Sequence, residues 1–462
     1  MSLKKQIAVN LMQINKIITV GFILLFLSCQ EKGTQLDVKV SSHYNNADAT
    51  IIQCSDQYYN QLATYNTSRQ YSAEVAEFNA LKYNIPIHVF EGKIEHGLKD
   101  YLDMGRGGVS AYFPSCTEEY SEKMLDSILN VLTPVYGRRP TTMAYGCGKT
   151  NYADSLPNYI LGGRNSSGST PKTLKLGAPV CSYYGKDSGD PSVYPAESFS
   201  FLRNRLNASR SWVNIIMDDL SEEESLSYVK TEVEKVISNK GFYLDFMHWH
   251  IDEYKGKNAQ QFIPKLFQSM GEAINKSYIA KVDYNQATEY FYGKEAIDSV
   301  SLVEKADVYE LSVYVKKKFD KIDYDVIKTP ISFQTNISLE NAQKLGGEDV
   351  KSVTFRKDQT IINAFVDFNK PVNKIIIDKN NGSKFLTLKF DVSQKNNAIL
   401  TTDVTKATFF QKNKEDYKVK IIKRSLTFSK NHEFAFKTDN SDYEYYVGVI
   451  NKLGESKLIK VE

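Results

Sequence analysis

A group of ionisable and aromatic residues closes the segment from Gly241 to Tyr254. The group contains His248, Trp249, His250 and Asp252, in a chain that has only six histidines among 462 residues. Because side chains alternate across a strand, the two histidines point the same way and the tryptophan points the other. An imidazole gives or takes a proton near neutral pH, and a neighbouring carboxylate raises its pKa. The spacing therefore predicts acid–base catalysis by the histidines, with Trp249 and Asp252 as substrate-binding candidates.

Three further residues, Asp56, Arg139 and Tyr145, lie near the ends of predicted strands, and a fourth, Arg164, lies in the irregular glycine-rich stretch 162–165. Asp56 is a catalytic candidate, because a carboxylate can hold a water molecule or fix the tautomer of a histidine. An arginine pairs bidentately with a uronate carboxylate or a sulfate, so the two arginines are substrate-binding candidates, and Tyr145 joins them. We expect Asp56, Arg139 and Tyr145 to share one cleft with His248 and His250.

Strand and helix patterns alternate through the first half of the chain. Strands are predicted over 49–54, 87–90, 108–113, 141–145 and 212–217, and helices over 118–132, 221–238 and 259–274. This spacing indicates parallel βαβ units, which carry their sites at the carboxyl ends of the strands. Between residues 146 and 194 the pattern dissolves into Gly, Ser, Asn and Pro, which predicts a long functional loop.

The second half of the chain has a different pattern of predicted secondary structure. Short alternating strands are predicted over 308–315, 331–337, 360–368, 385–390 and 419–422, with little helical periodicity. We therefore predict a β-rich domain over 296–375 and a β-sandwich domain over 376–462. The stretch from Tyr445 to Ser456 resembles the final hairpin of a fibronectin-type-III-like sandwich.

The N-terminus is typical of an exported protein. Basic residues precede an apolar run from Ile17 to Leu27, which is too short to span a bilayer. The run ends in Leu27-Ser28-Cys29, which resembles a bacterial lipobox. We predict a signal peptide over 1–29, lipidation of Cys29, a tether over 30–45, and an outer-membrane-anchored lipoprotein whose membrane contact is this lipid.

Charge and glycine spacing exclude two classes of partner. Lys and Arg number 58 against 55 acidic residues, a net charge of +3 without a dense basic stripe, so no nucleic-acid partner is predicted. No glycine-rich loop has the spacing of a nucleotide site. The four cysteines after residue 29 could form disulfides in an exported protein, in any of three pairings: Cys54, Cys116, Cys147 and Cys181.

Four short segments resemble motifs of the polysaccharide deacetylases of the NodB-homology type: 53–57, 138–140, 144–146 and 246–248. The resemblance implies a distorted (β/α) barrel over 46–295, with Asp56 as a metal ligand and His248 as the general acid. This chain departs from the family at two places. Ser55 replaces the aspartate that acts as the base, and residues 110–117 contain no histidine, so two of three metal ligands are missing. A divalent metal is therefore left unassigned.

The predicted fold class is α/β, a distorted (β/α) barrel followed by C-terminal all-β sandwich modules. The predicted substrate is a polysaccharide or oligosaccharide, and three functions stay open. A deacetylase-like hydrolase would use a histidine as acid and a water activated by Asp56 or a metal. A carbon–oxygen lyase or dehydratase would use His248, His250 or a tyrosine as base and acid, with Arg139 or Arg164 stabilising enolate-like charge. The third is a non-catalytic glycan-binding lipoprotein.

Overall fold

The structure is a computed structural model. It describes residues 33–56, 68–94, 97–105, 107–112, 120–145, 155–164, 208–209, 221–238, 240–247, 253–254, 257–275, 277–319, 322–416, 418–434 and 442–461.

The strands in chain order are β1 (Thr34–Leu36), β2 (Val38–Val40), β3 (Thr50–Asp56), β4 (Ile87–Glu91), β5 (Gly107–Tyr112), β6 (Thr142–Ala144), β7 (Gly162–Arg164), β8 (Ala208–Ser209), β9 (Phe242–Met247), β10 (Glu253–Tyr254), β11 (Lys257–Asn258), β12 (Ile297–Glu304), β13 (Val308–Val315), β14 (Ile331–Thr335), β15 (Val350–Arg356), β16 (Gln359–Ala364), β17 (Val372–Asp378), β18 (Val392–Lys395), β19 (Ala398–Asn413), β20 (Val419–Glu433), β21 (Tyr443–Asn451) and β22 (Ser456–Val461). The helices are α1 (Ser68–Tyr83), α2 (Leu98–Asp103), α3 (Glu122–Tyr136), α4 (Glu222–Ser238), α5 (Ala259–Ile274), α6 (Tyr284–Glu295) and α7 (Leu339–Ala342). Short 3₁₀ turns cover Tyr44–Asn46 and Tyr324–Val326.

Strands β3 to β9 form one parallel sheet, in the order β7-β6-β5-β4-β3-β9-β8. Every residue of β4 is buried, as expected where helices cover a parallel sheet. The predicted βαβ organisation is therefore confirmed. Within the described ranges β7 and β8 lie at the two ends of this strand order and do not pair with each other.

Several predicted bounds agree with the structure and one does not. Helix α5 and strand β13 match the predicted ranges, and α4 begins one residue later than predicted. The prediction of an irregular loop over 146–194 is wrong at Gly162–Arg164, because this glycine-rich stretch is strand β7. The strand predicted over 212–217 lies outside the described residues.

The two faces of the parallel sheet pack against different parts of the chain. Ile51, Val89 and Val109 belong to the large core that includes helices α1, α3, α4 and α5. Ile52 and Cys54 face the other way, into a smaller core closed by the segment 280–287. Cys54 is a buried free thiol, and the other three candidate disulfide cysteines lie outside the described part of the chain.

The β-sandwich unit consists of two four-stranded antiparallel sheets, β1-β12-β13-β17 and β15-β16-β14-β2. Alternate residues of both sheets share one core, for example Leu311 and Ile375 from the first sheet and Phe333 and Ile362 from the second. This unit corresponds to the predicted β-rich domain, but β17 crosses the predicted boundary at residue 375 by pairing with β13.

The prediction of a tether over 30–45 is wrong for its described part. Strand β1 pairs with β12, and β2 pairs with β14, so the two short strands extend the two sheets of the β-sandwich unit. Leu36, Val38 and Val40 are apolar and pack partly buried against the sandwich core. Burial of this apolar surface favours the docked strands over a solvated linker.

Glu289 of α6 ties the β-sandwich unit to the parallel sheet. Its side chain is fully buried and accepts two hydrogen bonds of 2.7 Å from Arg138, which follows α3. It also accepts from the Thr141 hydroxyl at 2.9 Å and from the backbone N–H groups of Lys328 and Thr329 at 3.0 and 3.1 Å. Hydrogen-bond donors from both units therefore pair with this one carboxylate.

The C-terminal sheet contains β18 to β22 and is antiparallel, with β20 and β21 on opposite edges of β19. Helix α1 covers one face, where the ring of Phe78 meets those of Phe410 and Tyr446 edge to face at 5.4 and 5.1 Å. The prediction of a two-sheet sandwich over 376–462 is not what the described residues form. They form one sheet over a helix, and the strand predicted at 385–390 is reduced to a bridge from Phe385 to Val353.

A buried charge cluster lies between α1 and the C-terminal sheet. Arg424 of β20 makes a bidentate ion pair with Glu77, with N–O distances of 2.7 and 2.9 Å. Glu74, one helical turn away, is also buried, and its Oε2 has no hydrogen-bond partner among the described residues. Burial raises the pKa of Glu74 to about 8, and the Glu77 carboxylate adds to this rise, against the Ile421 backbone, Arg424 and Lys420. Two buried carboxyl groups therefore lie near one guanidinium, which is hydrogen-bonded to Glu77.

Within the described residues, no helix is both long and apolar enough to span a bilayer.

Candidate active site

The seven parallel strands end at one side of the sheet, here called the carboxyl edge. Asp56 ends β3 and Arg164 ends β7. Met247 ends β9 and pairs with Ser55, the neighbour of Asp56 in the adjacent strand. The chain continues from Met247 into His248. The carboxyl edge thus brings together the strand ends from which three of the predicted site residues emerge.

Several predicted residues cannot be located further. His248, Trp249, His250 and Asp252 lie outside the described residues, as does Cys29, and only the backbone of Asp56 is described. Their catalytic, substrate-binding and lipidation roles stay predictions.

Arg164 is a fully buried cation at the carboxyl edge. Its guanidinium carbon lies 4.9 Å from the centre of the Phe90 ring, and its pKa is lowered to about 10 by burial. The neighbouring Cys54 is a neutral thiol, because burial raises its pKa far above the ordinary value. Arg164 therefore keeps its charge at neutral pH, and a desolvated guanidinium suits a carboxylate or sulfate group.

Two glycines in β7 allow aromatic rings to approach this strand from both faces. A Cβ at Gly163 would overlap the ring of Tyr145, and a Cβ at Gly162 would lie 3.0 Å from the hydroxyl of Tyr284. Tyr145 is only 1% exposed and belongs to the core that faces the helices. The ring is thus as deeply buried as the Arg164 side chain, and the substrate-binding role of Tyr145 stays a prediction.

Arg139 lies at the opposite end of the sheet. It precedes β6, so it is at the amino ends of the strands rather than at the carboxyl edge. It forms an ion pair with Asp126, and its guanidinium carbon lies 4.3 Å from the centre of the Tyr159 ring. The expectation that Arg139 shares a cleft with Asp56 is wrong, because Arg139 precedes a strand of this parallel sheet and Asp56 ends one.

A buried polar network on the inner face was missed by the sequence predictions. The Nδ1 atom of His88 accepts from the backbone N–H of Tyr284 at 3.3 Å, so Nε2 carries the proton and donates to Ser110 Oγ at 2.9 Å. The hydroxyls of Ser110 and Thr142 donate to Asn285 Oδ1 at 3.1 and 2.8 Å. Burial lowers the pKa of His88 to about 3, so this histidine is neutral at physiological pH and serves the fold rather than proton transfer.

Two buried carboxyl residues near the carboxyl edge were also missed. Glu91 is the last residue of β4, and Asp245 lies in β9 opposite Gln53. Both side chains are fully buried. A carboxylate that directly follows an apolar run was the available signal, since buried ionisable groups near strand ends are candidates for functional sites.

The residues do not fit the metal centre of the deacetylase family. The sequence supplies one of the three expected ligands, Asp56. In the described part of the chain no group of three or more His, Cys, Asp and Glu side chains could hold a metal ion. The catalytic groups proposed for this site are therefore protein side chains.

Comparison with known proteins leaves the family open. No protein-family model and no curated protein matches the chain. A solved structure of the full-length tri-modular endo-beta-1,4-glucanase B from Bacillus halodurans is similar over 88% of this chain and 80% of that chain, with 9% identity and a TM-score of 0.17. A likeness at this level carries no argument about fold or function.

Proposed function

We propose that the protein is an exported carbohydrate-active enzyme that acts on a polysaccharide or oligosaccharide at the carboxyl edge of its parallel sheet. The proposal includes a distorted (β/α) barrel over 46–295 and a lipid anchor at Cys29. The observation that carries it is the pairing of Ser55 with Met247, because this register starts Asp56 and His248 from neighbouring strand ends. Parallel α/β sheets and barrels place their catalytic groups there.

In the first form of the proposal the enzyme is a deacetylase-like hydrolase. His248 would donate a proton to the leaving sugar oxygen, and Asp56 would hold or deprotonate the attacking water. His250 would assist as a second proton carrier, while Trp249 and Asp252 would contact the sugar. The motif resemblance over 53–57 and 246–248 supports this form.

In the second form the enzyme is a carbon–oxygen lyase or dehydratase on acidic oligosaccharides. A histidine would remove the proton beside the uronate carboxylate, the C–O bond would break, and the leaving oxygen would take a proton from the second acid. The buried Arg164 favours this form, because a guanidinium in a desolvated position stabilises the enolate-like charge that develops on the carboxylate. The absence of two metal ligands from the motif points the same way.

Substitution at the carboxyl edge tests both forms. Asp56→Asn and His248→Ala are expected to lower kcat/KM by about 10²–10⁴-fold, because each removes a proton-transfer group. The control is His88→Gln, whose residue serves the inner network, and it should change stability more than kcat/KM. The substrates are a panel of acetylated and uronate-containing glycans, with products analysed by mass spectrometry. Full activity in both carboxyl-edge variants would refute the proposed site.

The same panel separates the two forms. Loss of one acetyl group, replaced by hydrogen, identifies the hydrolase, whereas loss of one water or an unsaturated uronate that absorbs in the ultraviolet identifies elimination. A complete and metal-reversible loss of activity on adding EDTA would contradict the metal-free lyase. Binding without any turnover would leave the third alternative, a non-catalytic glycan-binding lipoprotein.

A further inference from the structure

A concave site lies at one end of the β-sandwich unit. Here a cavity of about 390 Å³ opens between the end of β16 and the start of β17. Its volume falls within the range of small-ligand sites. We call it the sandwich groove.

Exposed apolar side chains concentrate at the sandwich groove. Phe365 and Val372 line it and are 43% and 38% exposed. Tyr314 is the direct cross-strand partner of Val372, and Ile376 lies on the same outward face of β17; both are exposed. These four account for four of the ten large exposed apolar side chains in the described ranges. Single exposed apolar residues need no explanation, but a contiguous patch marks a binding surface.

Polar groups on the rim are held in place before any ligand arrives. The Asp367 carboxylate accepts from the backbone N–H of Asn369 at 3.0 Å and pairs with Lys370 at 3.2 Å. The side-chain amide of Asn373 bonds the backbone N–H and C=O of Asp367 at 2.9 and 3.0 Å. Lys317 donates to the Asn369 side chain at 2.8 Å. A turn fixed in this way costs little conformational entropy on binding.

The charges of the groove balance. Three aspartates and three lysines line it: Asp325, Asp349, Asp367, Lys328, Lys370 and Lys374. Neither an anion nor a cation is favoured by such a set. Carboxylates accept hydrogen bonds and ammonium groups donate them, so the set suits a neutral ligand whose hydroxyl groups do both.

We propose that the sandwich groove binds a neutral saccharide chain. The apolar C–H faces of pyranose rings would pack on Phe365, and ring hydroxyls would bond the rim. Tyr314, the cross-strand partner of Val372, extends the exposed apolar surface beyond the groove, so the proposed ligand is longer than one sugar. This goes beyond the proposed function and does not require it, because none of the residues that line the groove belongs to the parallel sheet.

Affinity electrophoresis of the full chain tests the groove. The gels contain hydroxyethylcellulose, galactomannan, arabinoxylan or polygalacturonate. At least one neutral polymer is expected to retard the wild-type protein, and Phe365→Ala is expected to weaken that binding about tenfold. Lys328→Ala, on the exposed rim, is expected to weaken it by a smaller factor.

The matched control is Phe428→Ala, which removes an exposed phenylalanine of the C-terminal sheet and should bind like wild type. Circular dichroism and thermal melts check that each variant is folded. His248→Ala should keep full binding. Binding in the groove can therefore be judged even if the catalytic proposal fails. The proposal is overturned if no neutral polymer retards the protein, if polygalacturonate alone does, or if Phe365→Ala and Lys328→Ala both bind like wild type.

Discussion

Glu289 and Glu74 are two buried carboxyl groups at contacts between units, and their surroundings differ in one respect. Glu289 joins the parallel sheet to the β-sandwich unit, and both of its oxygens accept hydrogen bonds, including two from Arg138. Glu74 joins α1 to the C-terminal sheet, where Arg424 is already committed to Glu77. The first contact holds a paired charge. At the second contact the Glu74 carboxyl group keeps its proton, because one guanidinium cannot compensate two buried carboxylates.

The difference shows that burial alone does not fix the state of an acid. At Glu289 the donors from two units outweigh the cost of desolvation, and the contact is built around an anion. At Glu74 the donors are too few, so the contact prefers the neutral form, with its pKa raised to about 8 by burial. The Glu74 contact should therefore weaken as pH rises.

The largest effect is expected from Glu289→Gln. Removing this charge leaves Arg138, whose side chain is only 25% exposed, without its charged partner, and this costs about 3 kcal/mol of the free energy of unfolding. Urea denaturation followed by circular dichroism measures the change.

The matched control is Glu295→Gln on the same helix. Glu295 is about 31% exposed and pairs with Lys318 at 3.3 Å, so its loss should cost less than about 1 kcal/mol. Equal losses in the two variants would show that the contact is not organised around the buried anion.

An intermediate effect is expected from Glu74 as a function of pH. The folded chain keeps the Glu74 proton up to about pH 8, whereas an unfolded glutamate loses it near pH 4.5. Between these values the folded state binds more protons, so the free energy of unfolding falls as pH rises, by about 1.4 kcal/mol per pH unit from this group. From pH 6 to pH 7.5 the loss should be about 2 kcal/mol.

Glu74→Gln should remove that part of the pH dependence, because an amide neither titrates nor repels Glu77. Urea denaturation of wild type and variant at both pH values isolates the contribution from other titrating groups. Glu234→Gln, on the exposed side of α4, is the control and should keep the wild-type slope. If wild type and Glu74→Gln lose stability equally, Glu74 is already ionised in the folded chain.

The smallest effect is expected from Arg139→Ala, set against its neighbour. Arg138 serves the buried Glu289, but Arg139 pairs with Asp126 on the surface, where both side chains are about 40% exposed. Arg139→Ala should therefore cost less than about 1 kcal/mol, and Arg138→Ala several times more. Thermal melts and urea curves measure both. A large fall in kcat/KM with Arg139→Ala would restore it as a substrate-binding residue.

The sequence predicted the parallel sheet well because its signals are local. Helices α4 and α5 have amphipathic patterns, and the apolar strands β3, β4 and β9 stand out from their surroundings. Helix α6 was not predicted. It is buried on several sides, so it lacks a polar stripe, although it supplies Asn285 and Glu289.

Long-range pairing was the part that sequence patterns could not supply. The sequence of β1 and β2 predicts a tether, because their partners β12 and β14 lie far along the chain and local patterns do not reveal the pairing. Strands β17 and β19 are separated in sequence by only one strand, β18, yet they join different sheets. At the site, strand direction separated Arg139 from Arg164, and alternation turned Tyr145 toward the helices. Local periodicity contains neither fact.

Strand β1 begins at Thr34, only five residues after Cys29. A chain of five residues reaches at most about 18 Å, even when fully extended. With a lipid on Cys29, as proposed, the segment between the lipid and β1 would hold the β-sandwich unit within about 18 Å of the membrane. The β-sandwich unit would then lie close to the lipid headgroups, and the side of the unit that faces the membrane would be closed to a polymer.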